Sequence, residues 1–109
     1  MAYNEDALQL LRNDLAALPV VEKKMFGALC FMLHGNMLCG AQPNGALFRT
    51  SPDDYATALA IAGASPMCMG KDRQMKGFVE CDMDALQDDT QRAAFLSLSL
   101  SFVNSLPPK

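Results

Sequence analysis

The chain has 109 residues, 50% apolar and 19% charged, with 7 Gly, 6 Pro and a net charge of −3. That is enough chain for one buried core, and it excludes the disordered and collagen-like classes. No apolar run approaches the roughly 20 residues that cross a bilayer. The acidic start Asn4-Glu5-Asp6 lacks the basic and apolar parts of a signal peptide, so a cytoplasmic protein with no membrane partner is expected.

In chain order, Asn4 is a plausible N-cap, and Leu8, Leu11, Leu15 and Leu18 repeat at helical spacing until Pro19 stops the helix. Short apolar runs cut by turn residues then predict strands near 21–26, 28–34, 37–42 and 46–50. The Gly35-Asn36 pair suits a two-residue hairpin loop, setting His34 opposite Met37 and Leu33 opposite Leu38. Alternation from that register puts Leu29, Phe31, Leu33 and Leu38 on a core face. Cys30, Met32, His34, Met37 and Cys39 fall on the other. Ser51-Pro52-Asp53-Asp54 reads as a helix start with a hydroxyl cap and Pro at the first helical position, carrying Tyr55, Leu59 and Ala62 as a stripe up to Gly63. Residues 64–74 are mixed, 75–81 form a strand interrupted by Gly77, and 82–87 read as a loop. The final segment alternates Leu and Ser like a strand. Over a longer window Phe95, Leu96, Leu98, Leu100, Phe102, Val103 and Leu106 fill one arc of a helix that starts at Asp88 or Asp89 and ends at Pro107, with Ser99 misplaced. An arc that wide asks for a second burial surface, from the N-terminal helix or another subunit.

Charge is uneven. Residues 23–76 hold six basic and three acidic side chains, and the rest of the chain three basic and nine acidic. A basic sheet region can attract phosphates or an acidic protein, although no helix-turn-helix, zinc-finger or RRM-type motif accompanies it. Sulfur is abundant, with 8 Met and 4 Cys. No Cys-x-x-Cys spacing occurs, which argues against a disulfide framework and favours thiols as buried packing groups. If Cys30 and Cys39 shared a face with Met32, Met37 and His34, the set would suit a soft metal or a thiol sensor. The single His34 lies beside a turn, the Asp pairs sit at helix starts, and the glycines are too dispersed to cradle a phosphate. No enzyme activity, cofactor or resident metal is expected.

The stretch Lys23-Lys24-Met25-Phe26-Gly27-Ala28-Leu29-Cys30-Phe31, continuing to Gly35-Asn36-Met37, resembles the signature of the TfoX/Sxy N-terminal domain family. Met75-Lys76-Gly77-Phe78 resembles that family's Pro-Met-Lys-Gly-aromatic motif, with Gln74 in the Pro position, and Leu47-Phe48-Arg49 and Tyr55 also match. The resemblance spans nearly the whole chain and implies one TfoX N-terminal-like domain over residues 1–109, without the family's C-terminal domain. It implies a two-layer α+β fold of the secretion-chaperone-like kind. It also implies a small, non-enzymatic regulatory module of bacterial competence-regulator type, working through a protein partner such as transcription machinery. Of the motif residues, Lys23, Lys24 and Lys76 are the candidate partner contacts, and Phe26, Gly27, Met75, Gly77 and Phe78 are expected to be structural. A homodimer through the C-terminal helix or the Met/Cys face is compatible with this. Nucleic-acid binding through the basic sheet region is the alternative, and the Cys30/Cys39 sensor a further one.

Overall fold

A computed structural model describes residues 3–25, 28–68 and 74–108, with side chains throughout except at 25, 68 and 74–76. Helix α1 (Glu5–Asp14) begins where Asn4 Oδ1 accepts from the amides of Asp6 at 2.8 Å and Ala7 at 3.1 Å. These bonds satisfy donors that the first turn would otherwise leave open. The helix stops at Asp14, short of Leu18. The apolar stripe continues regardless, because residues 15–18 form a turn that keeps Leu15 buried and Leu18 against the core.

Six strands follow in one antiparallel sheet: β1 (Val20–Met25), β2 (Ala28–Leu33), β3 (Asn36–Gln42), β4 (Gly45–Arg49), β5 (Ala64–Cys68) and β6 (Gln74–Asp82). Their order across the sheet is β1-β2-β3-β4-β6-β5. The β2–β3 hairpin differs from the expected register. Leu33 pairs with Asn36 and Met32 with Met37, so the loop residues are His34 and Gly35, at φ 53° and 83°. Two positive φ values are what a type I′ turn requires. Asn36 is drawn into the strand because its side chain is buried and donates through Nδ2 to the Pro107 carbonyl at 3.0 Å. A bulge then inserts Leu38, and Phe31 pairs with Cys39. Partners in an antiparallel pair share a face, so Cys39 joins Phe31 in the core while Cys30, opposite Gly40, points the other way. The expected Cys30–Cys39 face therefore does not exist.

Beyond β4, Ser51 Oγ accepts from the Asp54 amide at 3.1 Å, as a cap would. Pro52 to Asp54 nevertheless form a turn, and α2 (Tyr55–Leu59) is a single short helix whose buried residue is Ala58, with Ala62 exposed. The segment expected to be mixed contains β5. The segment expected to be a loop contains α3 (Met83–Gln87), started by Asp82, whose Oδ1 accepts from the Ala85 amide at 2.8 Å. Helix α4 (Asp89–Ser105) is capped by Asp88, whose Oδ1 accepts from the Gln91 amide at 3.0 Å.

Helices α1, α3 and α4 pack on one side of the sheet, against β3 and β4. The main core lies between these two layers. Its centre is a stacked pair, Phe48 of β4 and Phe95 of α4, with ring centroids 5.0 Å apart. The wide apolar arc of α4 is served by the sheet and by α3, which packs against it and buries Ala85 and Leu86. Arg92, itself 7% exposed, ties the helices together. It donates to the Asp14 carboxylate at the end of α1, to the Leu86 carbonyl at 2.9 Å and to Asp89 at 2.8 Å. These bonds hold its guanidinium in the charged form, the one it donates to Asp14 first. On the opposite face of the sheet Ala28, Cys30, Met37, Leu47 and Met67 form a second, smaller cluster, with Met32 and Phe78 at its margin.

Candidate functional site

Strand β1 lies at an edge of the sheet. Alternation along it sends neighbouring side chains to opposite faces. Lys23 pairs with Cys30 and Lys24 with Leu29, so the two lysines, both exposed, point to opposite sides. Val21 shares the Lys23 face and is 65% exposed, a large apolar side chain left in water. On the helix side, Glu22 is gripped by Arg12 of α1 through two bonds of 2.7 Å. That bidentate pair holds the Glu22 carboxyl below the usual carboxylate range.

The third candidate, Lys76, belongs to β6, and β2, β3 and β4 lie between that strand and β1. The three lysines are thus not one patch on the sheet. Of the motif residues expected to be structural, Phe26 and Gly27 lie outside the described residues, and only the backbone of Met75 is described. Gly77 takes φ 89°, accepts from the Thr50 amide at 2.7 Å, and would place a Cβ 3.1 Å from the Thr50 carbonyl. A side chain there would meet both an unfavourable backbone region and a crowded one. Phe78, half-buried, pairs across strands with Arg49, whose guanidinium carbon lies 6.0 Å from its ring centroid and 5.1 Å from that of Phe102 on α4.

The three described thiols, Cys30, Cys39 and Cys81, are all buried. Burial raises the pKa of Cys30 and Cys39, and pushes that of Cys81 up to about 12. Among the described residues no group of three or more His, Cys, Asp or Glu side chains could hold a metal ion. Likewise no helix there is long and apolar enough to cross a membrane.

Compared with protein-family models, the chain matches the TfoX N-terminal domain over residues 14–103. It belongs to that family. No curated protein and no solved structure matched it. The matched span of this TfoX N-terminal domain covers every strand, α2, α3 and most of α4, and it begins at the last residue of α1. Sequence reasoning missed two arrangements inside the span. One is the Arg92 network, for which a lone basic residue four places after an Asp cap was the available signal. The other is the placing of Arg49 between two rings, which unites residues 49, 78 and 102 and had no local signal at all.

Proposed function

We propose that this TfoX N-terminal domain is a non-enzymatic regulatory module that acts by binding another protein, and that β1 carries the contact. The observation behind this reading is the edge strand itself. Val21 at 65% exposure stands beside exposed Lys23 on one face, and β1 pairs only with β2 among the described residues. An open edge offers its backbone groups to an added strand, and a Val–Lys pair selects an extended segment with an apolar and an acidic side chain. Several charged side chains elsewhere are engaged in holding the fold. Asp82 and Asp88 cap helices, Asp14 and Asp89 bind Arg92, and Glu22 binds Arg12. His34 sits in a positive-φ turn. That distribution supports a binding role over catalysis, and the family supports a regulator of the competence type.

The test is an affinity pull-down from native lysate, run with nuclease, comparing the wild type with Val21→Lys/Lys23→Glu at matched folded stability. A protein retained by the wild type and lost by the variant supports the reading. Identical retention by both, or retention abolished by the nuclease, overturns it.

A further inference from the structure

Arg49 closes β4 with its guanidinium held between Phe78 and Phe102, at 6.0 and 5.1 Å from the two centroids. Both distances lie within the range of attraction between a cation and an aromatic face. Two rings from different elements, β6 and α4, restrict the plane of the group before any ligand arrives. The guanidinium opens on a cavity of about 130 Å³ walled by Arg49, Thr50, Pro52, Gly77, Phe78 and Phe102. Thr50, the other polar side chain in that wall, is occupied. The Thr50 amide donates to the Gly77 carbonyl at 2.7 Å, and Thr50 Oγ1 donates to the Ser51 carbonyl at 3.3 Å. Arg12 and Arg92 both grip carboxylates, whereas among the described residues Arg49 has neither an ion pair nor a hydrogen bond. A partly buried fork of N–H donors, held between two rings and lacking an acceptor among the described residues, is half of a bidentate carboxylate contact.

Size and charge narrow the ligand. Cavities that enclose drug-sized molecules run to roughly 300–1,000 Å³, so this one fits a carboxylate with a short apolar stub and not a nucleotide. A polyanion would also meet acidic neighbours: Asp53 is exposed next to Pro52, and Glu80 stands two residues beyond Phe78 on the same strand face. We infer that Arg49 is the receptor for a single carboxylate from a partner polypeptide, an acidic side chain or a chain terminus, with an apolar neighbour resting on Pro52 and the Phe rings. The source of the carboxylate rests on the protein-binding reading above. The existence of the site does not.

The test follows the Arg49 Nε–H and the Gly77 amide by NMR during titration with N-acetylalanine, a mimic of a chain terminus. Saturable shifts of both signals are expected in the millimolar range. Arg49→Gln should abolish them, and Arg49→Lys, which keeps the charge but not the fork, should weaken binding about tenfold. Absence of saturation in the wild type, or equal shifts in either folded variant, overturns the site. Equally tight binding of inorganic phosphate, or shifts of the same signals by a short DNA duplex, overturns its assignment to a polypeptide carboxylate. Val21→Lys/Lys23→Glu should leave these titrations unchanged, so failure of the Arg49 site and failure of the β1 contact are read separately.

Discussion

Ser99 is fully buried on the core side of α4, and its hydroxyl has no hydrogen-bond partner. A hydroxyl removed from water without a partner costs free energy, and Ala is also the better helix former. Ser99→Ala should therefore stabilise the protein by about 1 kcal/mol, read as a higher urea midpoint at unchanged slope. A loss of stability would show that the hydroxyl is bonded. The sequence marks this residue plainly, as the single Ser inside an apolar arc. Arg92 is the opposite case. Its local sequence offers Asp89 as a partner, and the fold brings Asp14 to it from 78 residues away, so that the pair joins the first helix to the last.

At the scale of elements, what was legible depended on locality. Caps at Asn4 and Asp88 and the glycine bend at Gly77 are written within a few residues, and each stands where local chemistry puts it, whereas the first helix ends at Asp14, before Pro19 can act on it. The hairpin register departs from the expected one: Gly35-Asn36 is an acceptable loop by itself, yet the loop falls on His34 and Gly35. The deciding contact, Asn36 to Pro107, comes from the other end of the chain. One residue of slip, followed by the Leu38 bulge, carried Cys39 to the core face and dissolved the expected sulfur cluster. The same distance effect hid the Arg49 pocket. The observed turn can be tested directly. His34 occupies the first position of a type I′ turn at φ 53°, where Asn is more comfortable than His. His34→Asn should raise stability by roughly 0.5 kcal/mol in urea unfolding, since the left-handed region costs about 1–2 kcal/mol for an ordinary residue. In the expected register His34 would be an extended strand residue, and the same change would lower stability.

At the scale of the whole molecule, the sheet separates two kinds of apolar surface, helix-covered on one side and rich in Met and Cys on the other. Both bury thiols, and burial favours the neutral form. Unfolded, a thiol ionises near its ordinary value of 9.0, whereas folded Cys81 does so at about 12. The folded chain thus retains protons that the unfolded chain releases, and stability should fall as pH rises through that interval. Urea midpoints measured from pH 8 to pH 11 should decline, and less steeply in Cys39→Ala/Cys81→Ala. In the wild type at pH 8, Cys39 and Cys81 should react with a disulfide reagent only as fast as the protein unfolds. Rapid reaction of either with the native protein would contradict its burial.

The Phe48–Phe95 stack has a temporal side as well. A ribosome releases residues in order, so β4 emerges well before the helix that supplies the partner ring. During that interval, at synthesis rates of about 5–20 residues per second, the helix-facing side of the nascent sheet is an uncovered apolar surface. Residues 89–105 act as the lid of their own folding reaction, and chaperone engagement of the growing chain should end when they emerge.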